Sequence, residues 1–197
     1  DPDTREDVSV AVQRLINDLQ NRTDTGRIDV IFPKGTYHFY EDNSFVREYY
    51  ISNHDQDNPK KVGLAIENLK NITIDGKGST FIFHGRMIPI SILYSENVSL
   101  KKISIDFEVP ALRQLNVLDV RKESEEIIAE IYPSENYRID DGKLIILGET
   151  YELTPHSAMS FNEDKSLTYL RSDLSFNPVS VSELSPNILS IKGWDQY

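Results

Sequence analysis

The sequence predicts an all-β chain in two parts: short parallel strands stacked in coils and closed by an N-terminal helix over residues 1–110, then a small antiparallel barrel over residues 111–197. Three observations carry this. A single amphipathic stripe stands at the N-terminus. Short β-branched runs follow it, among them a tetrapeptide pattern repeated at an offset of 26 residues. At Pro110 the rhythm changes to longer alternating strands. An ordinary β-sandwich would also accommodate two matched tetrapeptides, so periodicity alone leaves solenoid and sandwich both open.

Thr4 followed by Asp7 forms a capping-box signature, because a hydroxyl and a carboxylate at that spacing satisfy the first free backbone amides of a helix. Val8, Val12, Leu15, Ile16 and Leu19 recur at helical spacing, with Arg14, Asn17, Asp18 and Gln20 outside the stripe. A helix over 4–20 is therefore expected, ending between Asn21 and Gly26. It is placed to cover the open edge of the first coil, which would otherwise template aggregation.

Strands are expected over 28–32, 36–40, 62–66, 72–74, 80–83, 98–100 and 103–107. Asn71-Ile72-Thr73-Ile74 and Asn97-Val98-Ser99-Leu100 share one pattern, and Ile103-Ser104-Ile105-Asp106 adds a further run. Stacked coils would space such strands by about 4.8 Å and let asparagines at equivalent turns form a ladder. After Pro110, alternation over 115–120 and 127–132 around the acidic turn at Glu123 to Glu126 signals a hairpin. Asp140-Asp141-Gly142 is a second turn, leading into 143–147, with further short strands over 151–153, 167–170 and 188–191.

A formal charge of −11 argues against a nucleic-acid backbone or an anionic membrane surface as partner, since like charges repel. The absence of cysteine excludes a disulfide framework and any thiolate metal site. No stretch approaches the roughly 20 apolar residues that span a bilayer; the longest, over 87–94, is interrupted by Pro89 and Ser91. The chain begins at Asp1 rather than methionine, as it would after loss of a leader. The sequons at Asn21, Asn71 and Asn97 are weak glycan candidates, the last two standing at strand starts.

With 32 acidic residues, a carboxylate pair is easily found. Asp106 and Glu108 are singled out because alternation places them on one face, where they would share a proton or hold a sugar hydroxyl. Two exposed charges before a proline are the plainer account. Asn53, His54, Asp55 and Gln56 form a polar loop between Tyr49-Tyr50 and Asp57-Asn58-Pro59, offering imidazole, carboxylate and amides beside aromatic platforms. A loop tied down by its own side chains has the same composition. His38, His54, His84 and His156 show no clustered spacing, so no metal is expected; His38 and His84 fall in strands as packed or hydrogen-bonded side chains. There is no GxSxG elbow, and Gly76-Lys77-Gly78-Ser79 lacks phosphate-loop spacing and reads as a tight turn.

Taken together, Ile31-Phe32-Pro33-Lys34-Gly35-Thr36-Tyr37-His38-Phe39, Ser52-Asn53-His54-Asp55-Gln56, Thr73-Ile74-Asp75-Gly76-Lys77-Gly78-Ser79, Phe83-His84-Gly85 and Ser104-Ile105-Asp106-Phe107-Glu108 resemble the N-terminal part of glycoside hydrolase family 110. The resemblance covers residues 28–110. It implies an exo-acting α-1,3-galactosidase of the kind that acts on blood-group B and linear α-galactosyl glycans, a right-handed parallel β-helix with a small β-barrel inserted between coils, and no metal or organic cofactor. It further implies inversion by two carboxyl groups roughly 6.5–9.5 Å apart. Family members are considerably longer, and their catalytic carboxylates lie on later coils, so no catalytic residue is transferred and a truncated chain would be inactive alone. Asn53, His54, Asp55 and Gln56 are candidate substrate-binding residues. The expected partner is an oligosaccharide or glycoconjugate, the expected location secreted, periplasmic or at the cell surface, and the oligomeric state is open. The competing readings are a non-catalytic carbohydrate-binding module and, last, a polygalacturonase-like enzyme, which the net charge of −11 disfavours.

Overall fold

In the computed structural model, residues 2–24, 26–51, 58–166 and 174–194 are described. They divide into two compact units, Asp1–Val109 and Pro110–Tyr197.

The first unit opens with a segment that runs beside a strand before any helix begins. Asp3 N–H donates to Thr36 O at 2.9 Å, Asp7 bridges His38 in parallel, and Val8 N–H donates to His38 O at 2.9 Å. Helix α1 accordingly spans Ser9–Gln20, later than the Thr4 signature suggests. The Thr4 hydroxyl is taken up locally by Glu6, and the Asp7 carboxylate accepts the Ser9 N–H at 2.8 Å. The expected stripe is the one that packs: Val12, Ile16 and Leu19 are buried.

Strands β1 (Ile28–Ile31), β2 (Thr36–Tyr40), β3 (Phe45–Arg47), β4 (Lys60–Glu67), β5 (Lys70–His84), β6 (Ile88–Leu93) and β7 (Glu96–Phe107) follow. The long β5 pairs in parallel with β1 along its first half, with β2 along its second, and with β7 on its other side. Strands β4 and β6 pair in parallel, and β3 joins β4 antiparallel. Both β4 to β6 and the start of β5 to β7 pair at an offset of 26 residues. Asn97 Nδ2 donates to Asn71 Oδ1 at 2.9 Å, both residues having φ near +55° in the left-handed region that asparagine tolerates.

The parallel β-helix expected from the sequence is corrected. Among the described residues of this unit, two separate small sheets are present, one of four strands and one of three, and no solenoid is shown. A solenoid repeats each strand in the next coil, whereas β1 and β2 here share the single strand β5 and β3 runs antiparallel. Gly76-Lys77-Gly78 does not end a strand as expected. It lies within β5 as a local register shift between Asp75 and Ser79.

The core of this unit lies between the sheets and α1. Phe39, Phe81 and Phe83 are fully buried beside Ile16, Leu64, Ile66, Ile72 and Ile74. Phe39 and Phe83 stack at 4.8 Å, and Phe32 tilts onto Phe81 at 4.9 Å. Burial of side chains of this size stabilises by about 1.5–3 kcal/mol each, before chain entropy is deducted.

The second unit is antiparallel throughout its described pairings. Its strands are β8 (Gln114–Arg121), β9 (Glu126–Tyr132), β10 (Tyr137–Asp140), β11 (Lys143–Leu147), β12 (Glu152–Leu153), β13 (Ser157–Ala158), β14 (Leu174–Ser175), β15 (Ser180–Ser185) and β16 (Ile188–Lys192). They form sheets in the orders β15-β16-β9-β8, β10-β11-β12 and β13-β14. Glu125 closes the β8–β9 turn in the left-handed region (φ +48°). Ile127, Ala129, Ile131, Leu144, Ile146, Val181, Leu189 and Ile191 form its core, with Phe176 edge-on to Trp194 at 5.1 Å. The strand expected over 167–170 lies outside the described residues.

Candidate functional site

Parallel pairing of β2 and β5 sets Tyr40 opposite His84, and alternation puts His38 on the same face as Tyr40. Their side chains meet. The Tyr40 and His84 rings stack at 3.9 Å with 8° between planes, and His38 Nδ1 lies 2.8 Å from His84 Nε2. Past the end of β7, Glu108 N–H donates to Phe83 O at 3.1 Å, which fixes the backbone of Glu108 beside that of His84. One ligand-type atom from each of His38, His84 and Glu108 lies within 4.8 Å of the other two.

The N-terminal segment completes the cluster. Arg5 Nη2 contacts Glu108 Oε1 at 2.5 Å, while the Tyr40 hydroxyl donates to Arg5 O at 3.2 Å. His38 and His84 are buried at 7% and 4% exposure, and Glu108 is exposed. Burial lowers the pKa of His38, reinforced by the neighbouring His84 and by the Arg5 charge. The hydrogen bond from Arg5 holds the Glu108 carboxyl below its usual range, with smaller help from His84 and His38. Near neutral pH this is a polar nest in which two facing ring nitrogens hold one hydrogen between them beside an ionised carboxylate. It can accept hydrogen bonds or a cation; Glu108, kept ionised, is not suited to donate a proton.

The candidates read from the sequence fare differently. Asn53, His54, Asp55 and Gln56 lie outside the described residues. Of the flanking tyrosines, Tyr49 donates to Glu67 at 2.5 Å and meets Ser91 at 2.9 Å, whereas Tyr50 is 91% exposed. Asp106 and Glu108 do not act as a pair: the Asp106 carboxylate accepts the Phe107 N–H at 2.8 Å and Glu108 is held by Arg5. The convergence of His38 with His84 was not legible in the chain, because no repeat relates β2 to β5. The available signal was that both imidazoles fall in strand patterns.

In the second unit, a cleft of about 680 Å³ is lined by Ser134, Tyr137, Arg138, Glu183 and Pro186 among others. There the Tyr137 hydroxyl donates to Glu183 Oε1 at 2.6 Å, and Asn187 N–H donates to the same oxygen at 3.1 Å.

With both units described, similarity to known proteins can be set beside the geometry. Residues 113–194 match the family described as GLAA-B beta-barrel domain I, which assigns most of the second unit to that class of β-barrel module. Over nearly its whole length the chain is similar to proteins named Alpha-1,3-galactosidase B: 40% identical over 98% of this chain to one from Phocaeicola vulgatus, 40% over 95% to one from Parabacteroides distasonis, and 41% over 97% to one from Bacteroides fragilis. The resemblance carried by the motifs is borne out: over these residues the chain is similar to part of the proteins named Alpha-1,3-galactosidase B. It spans about a third of the length of the curated relatives it matches, 31–32% in these three.

Proposed function

We propose that this chain is part of an inverting exo-α-1,3-galactosidase that removes terminal α-1,3-linked galactose from extracellular glycans such as blood-group B or linear α-galactosyl structures. The observation that carries this reading is 40% identity over 98% of the chain to a protein named Alpha-1,3-galactosidase B. In this reading the chain supplies a scaffold and sugar-contacting groups, while the carboxylic acid and base of the inversion lie on other parts of the enzyme, so these 197 residues alone turn over no substrate. Asn53, His54, Asp55 and Gln56 are assigned to the sugar site for the mixed donors and acceptors they offer to hydroxyl groups.

A second reading, a non-catalytic carbohydrate-binding module, is favoured by the cleft at Tyr137 and Glu183, where apolar and hydrogen-bonding groups face one concavity. Incubating the chain with an α-1,3-galactosyl oligosaccharide and following anomeric protons by NMR separates these outcomes. Shifted sugar resonances without free galactose support a binding contribution. Initial appearance of β-galactose would overturn the assignment of the carboxylates elsewhere, and neither product nor shift would remove the binding-module reading and the sugar contacts assigned to this chain. In an enzyme of the relatives' full length, His54→Ala should lower kcat/KM with an unchanged melting temperature; unchanged kinetics would remove that loop from the site.

A further inference from the structure

We propose that His38, His84 and Glu108 form a binding site for a divalent transition-metal ion, with zinc the best match to the donor set. The three side chains come from separate positions along the chain and reach one point only through strand pairing. Two imidazoles and one carboxylate are a recurrent zinc donor set, leaving a position for water or another ligand.

The geometry is close to what the ion requires. Zinc–nitrogen bonds of about 2.0–2.1 Å at a tetrahedral centre place two ligating nitrogens about 3.3 Å apart. His38 Nδ1 and His84 Nε2 are 2.8 Å apart, so an opening of about half an ångström, with release of the hydrogen between them, admits the ion. The backbones that carry the ligands need not move. His38 and His84 sit on paired strands, His38 O accepts from Val8, and Glu108 N–H is bonded to Phe83 O.

Arg5 is the competitor. It places a positive charge on the same Glu108 carboxylate, but its side chain is 66% exposed and can turn into solvent when a divalent ion takes its place. Metal binding would then pin the end of β7 to β2 and β5. An unfolded chain cannot present ligands so far apart in sequence, so the bound ion stabilises only the folded form.

The test is calorimetric titration of the chelator-treated chain with ZnCl₂, together with visible absorption on adding CoCl₂. Uptake of one zinc per chain, cobalt bands of four-coordinate intensity and a melting temperature that rises with zinc are expected. Glu108→Gln should weaken binding by about tenfold or more, since losing even a partner of a ligand costs about 10–100-fold. Arg5→Ala should tighten it. Should His84→Gln fail to fold, ¹⁵N–¹H spectra of the unaltered protein still decide, because zinc must shift His38 Nδ1 and His84 Nε2. No stoichiometric uptake, or uptake that neither moves these nitrogens nor responds to Glu108→Gln and Arg5→Ala, overturns the proposal and leaves only adventitious binding to the acidic surface.

Discussion

His38 Nδ1 lies 2.8 Å from His84 Nε2, although 46 positions separate the two residues in the chain. Each ring nitrogen is the other's neighbour in a place where water has little access, His38 being 7% and His84 4% exposed. Replacing His84 by Ala removes both this partner and the ring that stacks on Tyr40. A loss of about 1–3 kcal/mol is expected from leaving a buried polar nitrogen unpaired, measurable as a fall in urea midpoint at unchanged m-value. Because burial lowers the pKa of His38 in the folded state, its neutral form is favoured there. Stability from this group is present above the unfolded value near 6.5 and is lost as the pH falls through the lower folded value. A midpoint insensitive to pH across that interval would contradict the assignment.

Asp75 carries the opposite charge logic on the first strand half of β5. Its carboxylate accepts the Lys77 backbone N–H at 3.0 Å, lies 3.0 Å from Lys77 Nζ and 3.7 Å from Lys101 Nζ, and only 5% of the residue is exposed. The bond from the Lys77 backbone leads in lowering its pKa to about 2, followed by the Lys77 side chain. The ionised form is favoured by folding, so this contribution is present above the unfolded value of 3.8 and disappears as the pH falls through about 2. Carboxyl ¹³C titration should place the Asp75 midpoint near 2, and Asp75→Asn should flatten the acid dependence of stability between those two values. A midpoint near 3.8 in the folded protein would show that the lysine contacts do not hold.

The register shift beside Asp75 also makes two glycines unequal. A Cβ on Gly76 would stand 2.6 Å from Lys102 O and 2.5 Å from a methylene carbon of Ile103, both on β7. Gly78 has open space around its Cβ position but a φ of +86°. Gly76→Ala should therefore cost about 1–3 kcal/mol by forcing β5 and β7 apart, and Gly78→Ala about 1–2 kcal/mol from left-handed backbone strain. Urea denaturation characterises position 76 further when a larger side chain is tried: Val there should be worse than Ala. A Val at 76 that costs no more than Ala would mean that β7 yields freely.

How much of this was legible in the chain follows from which interactions are local. Val12, Ile16 and Leu19 announce the buried face of α1 because helical periodicity is a local property. Asn71 and Asn97 announced a pairing at 26 residues because turn positions repeat their chemistry. The start of α1 was misplaced, since Asp3 and Val8 are drawn into pairing with β2, a contact with residues about thirty positions away. The solenoid expectation failed in the same manner. The antiparallel pairing of β3 with β4 and the double use of β5 by β1 and β2 are tertiary choices that no short repeat encodes. Glu108 could be picked out as a candidate from its place beside Asp106, yet its actual neighbours, Arg5 and the two histidines, come from distant segments.

Tyr137 offers a test in the second unit. Its hydroxyl donates to Glu183 Oε1 at 2.6 Å, and the same oxygen accepts Asn187 N–H at 3.1 Å, tying β10 to the β15–β16 turn. Burial, then the hydrogen bond and charge of Glu183, push its pKa up to about 12. Ionising the phenol would place two negative charges on one hydrogen-bond axis, so folding favours the protonated form. That contribution is fully present below the unfolded value of 10 and is lost as the pH rises through about 12. In ultraviolet titration of phenolate absorbance, the difference between the unaltered chain and Tyr137→Phe should be a phenol titrating at about 12, and Glu183→Gln should bring it back toward 10 by removing the charge while keeping an acceptor. Tyr137→Phe should cost about 0.5–1.5 kcal/mol, or up to about 3 if the bond to the carboxylate carries its full charge-assisted strength. A titration in which the difference between Tyr137→Phe and the unaltered chain is an ordinary phenol near 10 would show that the hydroxyl faces solvent instead of Glu183.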